Sequence, residues 1–432
     1  MSLDKITYKN IYKNLIENKY KFSNENYQKE FEDESQNIFL FFFDMMNVYP
    51  LFPTIINIEL NNNTNYSSSR DTKIELKQQL NTIVNQWTNI PKEELKKRAR
   101  PMIRKFFSYE IIDHIRDNYN AEYVTTAWLK CYEIITNYSL LDNLDLAETT
   151  VNYFGICEQP GAFVYAINHY IKTKTLYKFD FIIESLVDKS NKKIFTAEKS
   201  LLNKYRNKYD YGADGTGDVT KIENIKFYRK KYIDKKFHII TADCGLDCSD
   251  DFAEQEKGLM NVVLGQFLLA ISVCSKGSNY FYKQFTMYEQ LTKEIMYLAN
   301  QFFDQVYICR TLTTKPQSGE IYIICKNFKK SKKDMDGILK NLYDKYEKNM
   351  ILDNIDDIDV NFINNIDEIN NLLTMRRITS INFLYFRFVN SHYAKKNKKE
   401  IYSYIEKMVD YYKDYFIELY KIKKIEDSKK LL

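Results

Sequence analysis

The chain has 432 residues, 44% of them hydrophobic and 15% aromatic, enough apolar content for at least one full core with sizeable additions. Its 63 Lys and Arg against 58 Asp and Glu leave a formal charge of +5, which excludes a polycation, so any nucleic-acid surface has to come from local clustering. Seven cysteines, an odd number in apolar surroundings, point to buried free thiols in a reducing compartment rather than a disulfide framework, and so to the cytoplasm.

The N-terminus, MSLDKITYKNIYKNL, has no apolar signal core. The run from Ile38 to Phe52 is broken by Asp44, Asn47 and Pro50 and is too short to span a bilayer, so no membrane role is expected. Residues 1–90 read as an accessory region around a polar, low-complexity loop at 61–71, NNNTNYSSSRD, that cannot bury a core. A basic segment follows, with Lys92, Lys96, Lys97, Arg98, Arg100, Arg104 and Lys105 either tracking phosphates or forming a solvated helix face. Trp128, Leu129, Tyr132 and Ile135 then recur at helical spacing. From Val151 the pattern alternates: an apolar run to Ile156, a turn at Pro160-Gly161, a helix, the strand FDFIIE, later the strand HIITAD and a long apolar helix ending near Cys274. Such alternation predicts an α/β fold with a doubly wound, largely parallel sheet over 91–330. The lysine-rich remainder, 331–432, reads as a helical appendage with an amphipathic stretch at 402–424. No internal repeat is evident.

Three features carry chemistry. The turn at Pro160-Gly161 closes a buried strand where open α/β sheets bind ligands; Gly161 and Ala162 leave room beside the backbone, and the helix starting at Phe163 offers N–H groups to a ligand carboxylate. A plain structural turn explains the same residues. The glycines of DYGADGTGDVT, 210–220, resemble a phosphate cradle, but no GK[ST] follows and no strand is expected directly before it. Asp218 there either accepts an adenine amino group or caps its own loop. Lys130 and Lys283, with Asp243 and Glu320 at strand ends, are the third feature. A hydroxyl nucleophile must be held in line and lose its proton, which a lysine accomplishes only when neighbouring positive charge and desolvation lower its pKa. Cys244 and Cys248 form a C-x-x-x-C without the partners of a zinc site, and His114, His169, His238 and His392 share no spacing, so no metal is expected.

Over roughly residues 118–328 the chain resembles the FtsJ-like (RrmJ-like) ribose 2′-O-methyltransferases, closest to members from large cytoplasmic DNA viruses such as African swine fever virus. Ala127, Trp128, Leu129, Lys130, Tyr132 and Glu133 match an A-W-L-K-x-Y-E segment, and Pro160, Gly161, Ala162 and Phe163 stand for P-G-G-F. Gly217, Asp218, Val219 and Thr220 match G-D-[IV]-T, whereas Ala242, Asp243, Cys244 and Gly245 stand for A-D-G-G. Lys276, Gly277 and Ser278 precede Lys283, and Ser318, Glu320 and Tyr322 close the set. The resemblance implies a Rossmann-like sheet of seven strands, one antiparallel, and a catalytic tetrad of Lys130, Asp243, Lys283 and Glu320, with Lys283 as the base or the group that orients the hydroxyl. It also implies S-adenosyl-L-methionine as donor, bound by Glu158, Pro160, Gly161, Ala162, Phe163, Asp218 and Asp243, and no catalytic metal. The expected substrate is RNA, 5′-capped mRNA in particular, with other capping or transcription proteins as partners. The same chemistry on ribosomal or transfer RNA, or a catalytically silent RNA-binding scaffold, stands as the alternative.

Overall fold

The computed structural model describes residues 56–60, 76–82, 84, 109–142, 149–187, 196–245, 255–315, 317–348, 350–353, 357–389, 410 and 413–432. The polar loop at 61–71, the basic run at 92–105, Cys248 and His392 lie outside the described residues.

Eight strands form one sheet in the order β1-β7-β8-β6-β5-β2-β3-β4. They are β1 (Ile56–Glu59), β2 (Thr150–Ile156), β3 (Lys178–Glu184), β4 (Tyr209–Asp210), β5 (Ile239–Ala242), β6 (Asn279–Gln284), β7 (Phe303–Arg310) and β8 (Ile321–Phe328). Neighbours from β6 through β5, β2 and β3 to β4 pair in parallel, and β8 runs antiparallel between β6 and β7. Those seven strands are the expected sheet with its one reversed member. The eighth, β1, comes from the N-terminal region and adds an antiparallel edge to β7, with Ile56 opposite Arg310. A further difference is that β4 directly precedes the glycine-rich loop, where no strand was expected. Its two residues are too few to show a period in the sequence.

Helices cover both faces, which is why the central strands read as continuous apolar runs: all four residues of β5 are buried. On one face lie α1 (Tyr109–Tyr119), α2 (Thr126–Asn137) and α3 (Ala162–Lys174), joined by Phe416 and Tyr420 from the C-terminal segment. On the other lie α5 (Ile222–Lys231), α6 (Gln255–Val273), α7 (Gln290–Phe302), α8 (Met335–Tyr346) and the start of α9 (Val360–Val389); α4 (Thr196–Lys204) follows β3. The 19 residues of α6 are apolar enough to cross a membrane, but 72% of its most apolar window is buried inside the molecule, as in a core helix.

The strand order reverses at β2, which continues to β3 on one side and meets β5 on the other, so the carboxyl ends of β2 and β5 border the crevice of a doubly wound sheet. Helix α6 supports that crevice through one glycine. A Cβ on Gly265 would lie 2.2 Å from the Val219 carbonyl oxygen, so the helix packs directly on the loop that carries Asp218. Alanine usually improves a helix by about 1 kcal/mol over glycine. Here the clash with backbone, costing about 1–3 kcal/mol or more, should win. We expect Gly265→Ala to lower the melting temperature, measured by calorimetry; a rise would refute this packing.

Candidate active site

Helix α2 begins at Thr125, whose Oγ accepts from the Trp128 N–H at 3.2 Å. This start turns Trp128, Leu129 and Cys131 into the core and carries Lys130 to the carboxyl edge of the sheet, where its Nζ donates to Glu320 Oε1 at 2.5 Å. Glu320 immediately precedes β8. Lys283 on β6 faces Tyr322 across the antiparallel pair, and its Nζ lies 3.1 Å from Asp243 Oδ1 and 3.0 Å from the Asp243 carbonyl. Asp243 follows the last residue of β5, and the Tyr322 hydroxyl donates to its Oδ1 at 3.3 Å. The fold therefore brings all four residues together, as two lysine–carboxylate pairs joined through Tyr322. Their side chains keep only 12–21% of their surface exposed.

The resting charge of Lys283 differs from the expectation. Burial alone would lower its pKa, but Asp243 and Glu320 outweigh it and hold the ammonium above the ordinary lysine value. The second lysine does not depress it because Lys130 is engaged by Glu320. For Glu320, burial pushes upward, and Lys130 with Lys283 overrides it, leaving the carboxyl below its ordinary range.

The cofactor turn is built differently from its sequence reading. Glu158 Oε1 accepts from the N–H groups of Phe163 (2.7 Å) and Val164 (3.1 Å), so the helix start expected to receive a ligand carboxylate is already occupied by the chain's own acid. Burial, with Asp243 adding to it, pushes Glu158 up to about 8. Gly161 adopts φ 103°, a left-handed conformation that side chains rarely take, and a Cβ there would lie 2.4 Å from Leu201. Pro160 is partly exposed beside it, whereas Ala162 and Phe163 are buried in the first turn of α3. Asp218 uses Oδ1 to cap its own loop, accepting from the Thr220 N–H at 2.9 Å and hydroxyl at 2.6 Å.

One residue, and the role of a second, escaped the sequence reading. Glu184, the last residue of β3, is fully buried; its Oε2 accepts from the Cys157 N–H at 3.1 Å, and its Oε1 has no partner among the described residues. Burial raises its pKa well above the carboxylate range, with Asp210 and Asp218 adding to the effect. The signal was an acid closing the apolar strand FDFIIE, as Asp243 closes HIITAD. The second is Glu133, one helical turn beyond Lys130. Its carboxylate accepts from the Leu312 N–H at 2.6 Å, from the N–H of Thr313 at 3.1 Å, and from the Thr313 hydroxyl, anchoring the β7–β8 connection that leads to Glu320.

The cysteine expectation is overturned in part. Cys157 and Cys244, whose Cα atoms are 5.1 Å apart, form a disulfide. Sequence separation hid this pair: Cys157 follows β2 and Cys244 lies two residues past β5, and these neighbouring parallel strands end side by side. Cys131, Cys274, Cys309 and Cys325 are buried free thiols, as expected.

Residues 123–328 match the FtsJ-like methyltransferase family. A cap-specific mRNA (nucleoside-2′-O-)-methyltransferase 2 of Mus musculus is 28% identical over 226 residues, covering 51% of this chain and 29% of its own length. The Drosophila melanogaster protein of that name is 25% identical over 290 residues, covering 62% and 39%. A probable methyltransferase of African swine fever virus is 31% identical over 226 residues, covering 48% and 50%. The chain thus spans half or less of the length of these relatives.

Every contact on the two Glu133 oxygens comes from a donor, so Glu133→Gln must turn an amide NH2 against an N–H. We expect it to cost about 1–3 kcal/mol in denaturant unfolding and to lower turnover by loosening Glu320; unchanged stability would show that the carboxylate is not the anchor. Alkylation of the unfolded, unreduced protein should leave Cys157 and Cys244 unmodified until a dithiol is added. Labelling of either cysteine without reductant, read by peptide mass spectrometry, would contradict the pairing.

Proposed function

We propose, from the FtsJ-like methyltransferase domain that residues 123–328 form, that this protein methylates the ribose 2′-hydroxyl of RNA, acting on the cap-proximal nucleotide of 5′-capped mRNA. The observation that carries this reading is the convergence of the Lys130–Glu320 and Lys283–Asp243 pairs at one end of the sheet, beside the β2–β5 crevice. The names of the relatives support the cap as the substrate.

S-adenosyl-L-methionine, when bound, supplies an electrophilic methyl group on a sulfonium sulfur. The residues around the crevice fit it. The unpaired, buried Glu184 Oε1 suits ribose hydroxyls, because an acid closing the second strand of such a half-sheet takes that role in dinucleotide folds. Asp218 retains Oδ2 for an adenine amino group, and the turn at Pro160-Gly161 gives a close backbone approach. Glu158 acts from behind, holding that turn to α3 rather than touching the donor.

Lys283 is the group that meets the 2′-hydroxyl. As an ammonium it donates to the oxygen and fixes its line of approach; once neutral, its Nζ would accept the hydroxyl proton, the sulfonium sulfur leaving the methyl carbon as a neutral thioether. Asp243 orients Nζ from two atoms, its carboxylate and its carbonyl. Lys130 keeps Glu320 in place, and Tyr322 ties the second pair to the first.

The test is transfer of a radiolabelled methyl group to matched short RNAs, one with an N7-methylguanosine cap and one without, followed by mapping of the label. Label on the first transcribed ribose of capped RNA alone supports the assignment, and label on uncapped RNA moves the substrate to ribosomal or transfer RNA. Lys283→Ala should lose roughly 10²–10⁴-fold in turnover while keeping donor affinity; a variant with full activity would remove Lys283 from the chemistry. Because the ammonium is held above its ordinary pKa, the neutral fraction rises tenfold per pH unit below it, so log kcat/KM should climb with unit slope between about pH 7 and 9. A flat profile would leave Lys283 as an orienting cation only.

A further inference from the structure

Helix α9 lies beyond the stretch that matches the family, yet it reaches the mouth of the site. Arg377 on this helix is only 9% exposed, and its Nε donates to the Gln317 carbonyl at 3.1 Å. That is its one hydrogen bond among the described residues, and no ion pair to it occurs among them. Its Nη1 lies 2.8 Å from where a Gly319 Cβ would stand, and the Phe285 carbonyl is 3.2 Å from the same point. Gly319 precedes Glu320, and Phe285 is two residues beyond Lys283, so the guanidinium sits between the two chains that carry the catalytic groups.

A second cation lies close by. Arg310, at the end of β7, is 3% exposed and donates to the Lys315 carbonyl at 2.7 Å. Burial, with Arg376 and Arg377 adding to it and Glu320 opposing, lowers its pKa to about 9. The acids at this end of the sheet are already committed. Glu320 pairs with Lys130 and Asp243 with Lys283, while Asp367 pairs with Lys293 at 2.6 Å. Glu256 accepts from Thr286, Tyr288, Glu289 and Thr292. Arg377 is thus a buried cation that no carboxylate pairs with among the described residues, and a charge so withdrawn from water favours an anionic ligand.

The chemistry of the substrate says which anion. In an RNA chain the 2′-hydroxyl is vicinal to the 3′-oxygen, so any ribose presented to Lys283 brings a phosphodiester within a few ångströms. A guanidinium with two free amino groups matches phosphate oxygens in a planar, two-point contact. We propose that Arg377, with Arg310 and Arg376 beside it, forms the subsite for the phosphodiester on the 3′ side of the methylated ribose. Helix α9 thereby supplies a substrate-binding residue to a centre otherwise built from the sheet and α2. This rests on the RNA methylation reading above.

The competing role for Arg377 is a clamp on the β7–β8 connection through Gln317, and a substrate analogue separates the two. The experiment measures binding, by fluorescence anisotropy in saturating S-adenosylmethionine, of two capped RNAs. They differ only at the linkage 3′ to the first transcribed nucleotide, a phosphodiester in one and an uncharged methylphosphonate in the other. We expect Arg377→Gln to weaken binding of the phosphodiester RNA roughly 10–100-fold at low salt and to flatten the log–log salt slope by about 1. The methylphosphonate RNA should bind wild type and variant alike, Arg377→Lys should retain most of the salt slope, and donor affinity should stay unchanged in both variants. Equal losses on both RNAs, or an unaltered salt slope, would overturn the subsite and leave a clamp. Wild-type protein that binds the donor but neither RNA would instead overturn the RNA reading, and the subsite with it.

Discussion

Two lysine–carboxylate pairs, nearly withdrawn from water, set the terms for the rest of the molecule. A buried ammonium or carboxylate alone costs several kcal/mol, so neither member of a pair survives there without the other. Lys130 comes from a helix, Asp243 from the end of β5, Lys283 from β6, and Glu320 from the approach to β8. Four elements distant in sequence must therefore stop at one level. The antiparallel insertion of β8 between β6 and β7 makes this possible, since it brings the start of β8 to the same end of the sheet as the close of β5 and β6.

The same constraint explains why α2 is tied to the β7–β8 connection twice. Lys130 holds Glu320, and one turn later Glu133 gathers the N–H groups that open that connection. Tyr420, from the far end of the chain, donates to Glu133 at 3.3 Å. The C-terminal segment is joined to the same face by other bonds: Ile425 N–H to the Tyr119 carbonyl at 3.1 Å, and the Leu431 and Leu432 N–H groups to Glu122 at 2.8 and 2.7 Å. Regions outside residues 123–328 thus brace the centre on one face through Tyr420 and, through Arg377 on α9, border it directly.

Departures from the family motifs fall where the geometry absorbs them. Cys244 replaces a glycine beside Asp243 and finds Cys157 at the end of the adjoining strand. Gly245, which is retained, leaves room for the lysine: a Cβ there would come within 3.1 Å of Lys283 Nζ and press it to shift by a few tenths of an ångström. Ala162 replaces the second glycine of the turn and is buried in the first turn of α3, where a side chain is tolerated because the left-handed residue is its neighbour Gly161. Glu158 then fills the helix start that a looser turn would leave open.

Much of this was legible in the residues alone. Apolar runs closed by acids located β5 and Asp243, helical spacing located α2 and Lys130, and Pro160-Gly161 located the turn, because period and punctuation are properties of neighbours along the chain. What crosses between elements was not legible. The Cys157–Cys244 pair, the anchor at Glu133, the occupation of the Phe163 N–H by Glu158, and the reach of Arg377 all depend on which strands lie side by side. The charge of Lys283 belongs to the same class. The sequence identifies the lysine and its acids, but only their separations and shared burial decide whether desolvation or the carboxylates win, and Asp243 at 3.1 Å decides for the carboxylates.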